Sequence, residues 1–281
     1  MSARAALHDD ERSDALARTS DPVSVSSRAL DRALAEPDDV VLDELLAVLA
    51  ISAPAMPLAT RARVTRVLVE RAFGRAPLAR RARLAEAIAH VGPRALVDRV
   101  VGPHLSARAR DDRRVAACAI AQPDARHRVR ALAPALVDDE GVLPEVAFAL
   151  AVVGGHASAR VLSRAFTSAR VVERRVLVRA LARIDDGGRA AEDTLARAMA
   201  DDDDEVRVSA AHGLSSVARG GRFAALLVED RDPRVRLLSV RAASRAPADT
   251  RRAFLTKLGR DEDPRVASFA SQLVEHGNAT S

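Results

Sequence analysis

The sequence predicts an all-α protein built as an α-solenoid, in which helical hairpins stack one on the next. Three observations predict this fold: the composition of the core, acidic runs that precede amphipathic segments, and a repeated turn. The 281 residues are 48% hydrophobic but include only six Phe and no Trp or Tyr, so Ala, Val and Leu must fill the core. Such side chains suit helices that pack closely, and Ala and Leu are strong helix formers.

Acidic runs mark the start of helices in the last third of the chain. They include Asp203, Asp230 and Asp261, and each is followed by apolar residues at helical spacing. An aspartate can accept hydrogen bonds from free backbone N–H groups and favours the positive end of the helix dipole. Pro233 and Pro264 stand where proline is tolerated, at the first helical position. We therefore expect a helix to begin after each run.

Glycine pairs provide the second sign of a repeat. The pairs at 154–155, 187–188 and 220–221 recur 33 residues apart, and a second amphipathic segment follows each predicted turn. Aliphatic residues before the turns keep a similar period of roughly thirty residues; they are Ile88, Ile120, Leu150, Leu181 and Leu214. A hairpin of this size cannot bury its apolar face alone, so neighbouring hairpins must stack.

The acidic run Asp-x-Asp-Pro-x-Val-Arg, followed by small and aliphatic residues, resembles the short bacterial HEAT-like repeats that also occur in phycocyanobilin lyases. An Ala-Leu pair before the glycine turn adds to the resemblance. It implies a solenoid of HEAT-like hairpins over residues 77–277, with about six to seven repeats. In such solenoids the second helix of each hairpin usually lines the concave, partner-binding side. The repeats serve many binding roles, so the resemblance names no single function.

The segments outside this array carry no clear repeat signature. We expect a flexible N-terminus over residues 1–20 and a tail at residues 278–281. Between them, residues 21–76 are predicted to form a degenerate capping repeat with helices at 22–36, 38–52 and 57–73.

Positive charge is concentrated in one zone of the chain. Residues 61–136 carry 17 Arg against 6 acidic residues, whereas residues 1–60 carry 5 Arg against 11 acidic residues. Six arginines of this zone lie off the apolar stripe of successive second helices and are predicted to form a partner-binding basic strip: Arg63, Arg66, Arg94, Arg99, Arg126 and Arg130. The strip could bind an anionic partner, or it could be a solvated face partly neutralised by the acidic N-terminal helices.

A second set of arginines recurs early in the first helices. Arg174, Arg207 and Arg236 are predicted to pair with aspartates between repeats, such as Asp232 and Asp263, in a structural ladder along the stack.

The sequence predicts no catalytic cluster, no metal site and no cofactor. Its seven histidines show no i, i+4 pairing, and Cys118 is the single cysteine, which excludes an internal disulfide. Two enzyme families with HEAT-like folds lack their signatures here. The His-Glu dipeptides of deoxyhypusine hydroxylases are missing, as are the tryptophans of alkylpurine DNA glycosylases.

The predicted function is therefore a non-catalytic scaffold or adaptor that binds another protein, one with an acidic segment being a candidate partner. The alternative is a DNA-binding protein, such as a divergent alkylpurine glycosylase, that uses the basic strip. The scarcity of aromatic residues disfavours binding that depends on base stacking. With no apolar run of membrane-spanning length and no signal peptide, the protein is expected to be soluble and cytoplasmic.

Overall fold

A computed structural model describes residues 39–138, 141–216 and 220–279. Within these ranges the chain forms α-helices and short 3-10 turns, with no strand. The α-helices are α1 (Asp39–Ser52), α2 (Leu58–Ala72), α3 (Leu78–Val91), α4 (Arg94–Val101), α5 (Arg110–Ile120), α6 (Val129–Asp138), α7 (Leu143–Val153), α8 (Gly155–Ser168), α9 (Val171–Leu181), α10 (Gly188–Ala198), α11 (Asp204–Ser216), α12 (Ala224–Leu227), α13 (Pro233–Ala243), α14 (Ala248–Leu258) and α15 (Pro264–Ala279).

The all-α prediction is confirmed, since the described chain is a succession of stacked hairpins. Wherever two α-helices make substantial contact, they are consecutive or next but one in the chain. This pattern is the signature of a helical repeat protein, in which each layer packs only on its neighbours. The predicted flexible segment 1–20 and the predicted helix at 22–36 lie outside the described residues.

The helices form two compact units, divided after Gln122. In the first unit α1, α3 and α5 stack as the first helices of their hairpins, and α2 packs on α4 as a second helix. Helices α1 and α2 begin within a residue of the starts predicted at 38 and 57. The predicted division between capping helices and repeat array at residues 76 and 77 stays a prediction.

In the second unit α7, α9, α11, α13 and α15 are the first helices, and each packs on the next. Their partners are α6, α8, α10 and α14, of which α8 contacts both α6 and α10. The aliphatic residues that define the repeat lie in the core of both units: Ile88, Leu150 and Leu214 are fully buried, and Ile120 and Leu181 nearly so.

One hairpin of the second unit departs from the predicted pattern. The segment after the third glycine pair was expected to form a full second helix, but it consists of a 3-10 turn, Gly220–Phe223, and the single-turn α12. Only Ala224 and Leu227 of this segment are fully buried. Two buried residues support one turn of helix but not a longer apolar stripe, which explains its length.

The first two glycine pairs form tight turns between first and second helices. Gly154, Gly155 and Gly188 have φ values of 71°, 79° and 62°, in the left-handed region that other residues rarely adopt. The His156 ring lies directly against Gly188, where a Cβ atom would collide with it. Both the conformation and the close contact therefore require glycine at position 188.

Candidate functional site

Arginines of the first helices bind carboxylates across the loops between repeats. Arg236 donates from Nε and Nη2 to the two carboxylate oxygens of Asp261, at 2.8 and 2.9 Å. Its remaining nitrogen, Nη1, donates to the backbone carbonyl of Asp230 at 2.9 Å. The side chains of Arg236 and Asp261 are only 9% and 8% exposed. This guanidinium therefore joins the loop before its own helix to the loop before the next one.

Two earlier repeats have the same arrangement. Arg207 donates to Asp230 at 3.0 Å and to the carbonyl of Asp201 at 3.0 Å. Arg174 makes a two-pronged contact with Asp201, at 2.7 and 3.1 Å. Bidentate, charge-assisted hydrogen bonds of this kind are among the strongest in proteins. We call the three arginines and the aspartates Asp201, Asp230 and Asp261 the arginine ladder.

The two aspartates assigned to this ladder from the sequence hold different positions. Asp232 caps α13, where its carboxylate accepts the backbone N–H of Arg234 at 2.8 Å. Asp263 accepts the N–H of Arg265 at 2.9 Å in the same way at α15. The aspartates two residues earlier in each run pair with the ladder arginines instead. Asp232 and Asp263 are thus corrected from ladder partners to helix caps, because a carboxylate at the helix start reaches the free N–H groups of the first turn.

The ladder and the caps lower carboxyl pKa values in the second unit. Hydrogen bonds from the Arg236 side chain lower the pKa of Asp261. The side chain of Arg265, with its backbone N–H, lowers the pKa of Asp263 to about 2. These carboxylates stay charged at neutral pH and are occupied by internal partners.

All six residues of the predicted basic strip are exposed. Arg63 and Arg66 lie on α2 and Arg94 and Arg99 on α4, in the first unit. Arg126, in a 3-10 turn, and Arg130, on α6, belong to the second unit. Arg126 forms an exposed ion pair with Asp186 at 3.2 Å. The six arginines are therefore grouped here as four and two, one group in each unit.

The structure adds arginines that the sequence reasoning missed. Arg160 and Arg164 on α8 and Arg197 on α10 are exposed on second helices of the second unit. They were overlooked because residues 137–200 carry balanced charge overall. The repeat itself could have revealed them, since Arg164 and Arg197 are 33 residues apart, like the glycine pairs.

A common register relates four of the exposed arginines. Each stands two positions after the buried aliphatic residue at the middle of its second helix, and these aliphatic residues are at most 2% exposed. The four are Arg66 after Val64, Arg99 after Val97, Arg164 after Leu162, and Arg197 after Leu195. We call these four residues the arginine row. It contributes one pair of arginines to α2 and α4, and one pair to α8 and α10.

First and second helices differ in how their arginines are paired. In the second unit the first-helix arginines bind carboxylates, for example Arg175 with Asp203 and Arg234 with Glu205, and Arg241 is the exception. By contrast, among the described residues no carboxylate lies within ion-pair distance of five arginines on α6, α8 and α10: Arg130, Arg160, Arg164, Arg189 and Arg197. The second helices therefore present uncompensated positive charge to solvent.

The same difference holds in the first unit. Arg81 and Arg83 on α3 pair with Asp112 and Asp43. No carboxylate of the described chain forms an ion pair with Arg63, Arg66 or Arg99 on the second helices. We call the exposed surfaces of the second helices in either unit the second-helix face.

Two further searches of the described residues gave no site. Ranges 39–138, 141–216 and 220–279 hold no group of three or more His, Cys, Asp or Glu residues placed to bind a metal ion. No helix of this part of the chain has the length and apolarity needed to cross a membrane.

No protein-family model matches the sequence, and no curated protein matches it. Solved structures do. One engineered protein matches 88% of this chain and 77% of its own at 21% identity, with a TM-score of 0.48. A second engineered protein matches 68% of this chain and 97% of its own at 21% identity, with a TM-score of 0.45. The complex of CpcE and CpcF of phycocyanin lyase from Nostoc sp. PCC7120 matches 83% of this chain and 94% of its own at 13% identity, with a TM-score of 0.45. At these identities the likeness concerns the helical-repeat fold alone.

One prediction is corrected by this comparison. The sequence led us to expect that the chain is not an enzyme, yet helices in this arrangement also form a complex whose name is that of a lyase. The fold therefore does not exclude enzymatic activity, and that exclusion was wrong.

Proposed function

We propose that the chain binds another protein through the second-helix face, and that the bound segment of the partner is acidic. The observation that carries this proposal is the unequal pairing of arginines. First-helix arginines are neutralised by carboxylates of the neighbouring repeat, whereas Arg160, Arg164 and Arg197 have no carboxylate partner among the described residues.

Unpaired arginines are suited to this role. A guanidinium presents a planar set of N–H donors that matches a carboxylate, and it is less strongly hydrated than an ammonium group. Charges of one sign on one surface also raise the rate at which an oppositely charged partner arrives. The resemblance to HEAT-like repeats supports this choice of surface, because the second helices of such repeats usually contact partners.

Two features favour an acidic protein segment over nucleic acid. The exposed phenylalanines, Phe148 and Phe269, lie on first helices, so they add no stacking platform for bases to the second-helix face. Asp193 is exposed on α10 between Arg189 and Arg197, and it would repel a phosphate backbone lying along that helix. DNA binding is therefore the weaker candidate and serves as an outcome of the test.

The test compares two triple variants of equal charge change. Arg160, Arg164 and Arg197 are replaced by Ala in one variant, and Arg175, Arg234 and Arg241 of the first helices in the other. Binding of a fluorescent glutamate-rich peptide is measured by anisotropy at several salt concentrations. Exposed ion pairs contribute about 0.2–1 kcal/mol each, so the first variant should lose roughly tenfold in affinity. The control variant should stay within about twofold, the change expected from long-range charge under screening.

Equal losses in both variants would show that only net charge matters and would contradict the proposal. Tighter binding of a DNA duplex than of the peptide, with a steep loss of affinity as salt rises, would replace the protein partner with nucleic acid.

A further inference from the structure

The arginine row has a spacing that constrains the shape of its ligand. Arg164 and Arg197 occupy equivalent positions, each the tenth residue of its helix, and α8 packs against α10. Axes of packed helices lie about 8–10 Å apart. A ligand that crosses both helices at this level therefore meets one guanidinium about every 9 Å.

Among regular backbone conformations, polyproline II matches this interval best. It has three residues per turn and a rise of about 3.1 Å per residue, so side chains at i and i+3 share one face about 9.3 Å apart. In a β-strand, residues on one face lie about 6.7 or 13 Å apart, and i and i+3 point to opposite faces. A β-strand would therefore place at most one carboxylate on the row at a time.

An α-helical ligand fits the surroundings of the row less well. Residues seven apart in a helix are separated by about 10.5 Å, which also matches the spacing, but a helix is about 10–12 Å wide. Asp193 precedes Arg197 by one turn on α10 and is exposed, so it lies only about 6 Å from the row along the helix axis. A helix centred on the row would cover this carboxylate, whereas a narrower extended chain would pass beside it.

The parallel row of cations near the turns is less suitable for an anionic ligand. His156, Arg189 and Arg222 are 33 residues apart and line one cleft of 630 Å³. Arg222 is bound there by Glu192, and Asp186 lines the same cleft. Carboxylates of this chain already occupy that position, and the arginine row lacks such partners among the described residues.

We infer that each arginine pair of the row, Arg66 with Arg99 and Arg164 with Arg197, binds two acidic residues three positions apart in a polyproline II segment of the partner. This inference rests on the proposed function and specifies the ligand of the same surface. It predicts a partner motif of the form acidic-x-x-acidic, with proline favoured at the intervening positions because it holds the extended backbone in place.

The experiment uses the full chain and four labelled peptides of equal charge and nearly equal length. Their glutamates are spaced by two, three or four residues in a proline-rich background, or by seven residues in a helix-forming one. The three-residue spacing should bind about tenfold more tightly than the others, as expected when two ion pairs form instead of one. The double variant Arg66→Ala with Arg164→Ala should abolish this preference. The matched control Arg63→Ala with Arg160→Ala, on the same helices but off the row, should keep it.

The outcomes separate this inference from the proposed function. Equal affinity for all spacings, with the loss in the triple variant intact, overturns the inference and leaves the proposed function standing. Preference for the seven-residue helical peptide also overturns it. Failure of every peptide to bind, at low salt as well, overturns both.

Discussion

Replacement of Arg236 by Met should destabilise the second unit strongly, because it removes a buried charge and keeps the aliphatic stem. The lost hydrogen bonds are those to both oxygens of Asp261 and to the carbonyl of Asp230. The carboxylate of Asp261, with 8% of its side chain exposed, would then lack its counterion in a site that water hardly reaches. Breaking a buried pair by removing one partner costs about 3–5 kcal/mol.

Arg234→Met is the matched control, two residues away on the same helix. Arg234 pairs with Glu205 at 2.7 Å, but the two side chains are 49% and 41% exposed. Exposed pairs contribute about 0.2–1 kcal/mol, so the control should lose less than about 1 kcal/mol. Both variants keep most of the side-chain packing, because the methionine replaces the arginine stem.

Urea denaturation followed by far-ultraviolet circular dichroism measures the difference. Repeat proteins can unfold in more than one step, so the midpoints of the transitions are compared as well as the fitted free energies. The reasoning fails if the two variants shift the midpoint equally, since burial would then not decide the strength of these contacts.

Two further predictions concern pH and a turn. Hydrogen bonds from Arg175 lower the pKa of Asp203 from its usual 3.8 to about 2; this stabilisation is complete above about pH 4 and is lost as the pH falls toward 2. Asp203→Asn should flatten the acid unfolding curve in that window, and an unchanged curve would refute the pairing. Gly188→Ala should lower stability by at least about 1 kcal/mol through its positive φ and its collision with His156, whereas Gly102→Ala, with open space around the new Cβ, should not; thermal unfolding of both variants tests this.

The sequence predicted those parts of the fold that depend on local rules repeated many times. The glycine pairs at 154–155 and 187–188 lie in turns because only glycine adopts their backbone angles easily. Helix starts at Pro233 and Pro264 followed from proline and capping chemistry. The short α12 was not predicted, because Phe223, Leu226 and Leu227 have apolar character at helical spacing whether or not a helix continues around them.

The candidate site was predictable only in part, for a different reason. Each acidic run offers two aspartates that could reach the preceding arginine, and sequence spacing does not tell which one caps the helix and which one bridges repeats. The arginine row was hidden by block averages of charge: Arg164 and Arg197 lie in a stretch whose acidic residues cancel them in number but face elsewhere. Only a register tied to the buried residues, such as Leu162 and Leu195, separates the two groups.

The restriction of helix contacts to neighbours bears on how the chain reaches its folded state. Contacts that join only adjacent layers give a low contact order, and chains of that kind close small loops and fold rapidly. Each unit should also open layer by layer from its ends, so a protease acting on α14 and α15 would release short fragments while α7 and α8 stay protected.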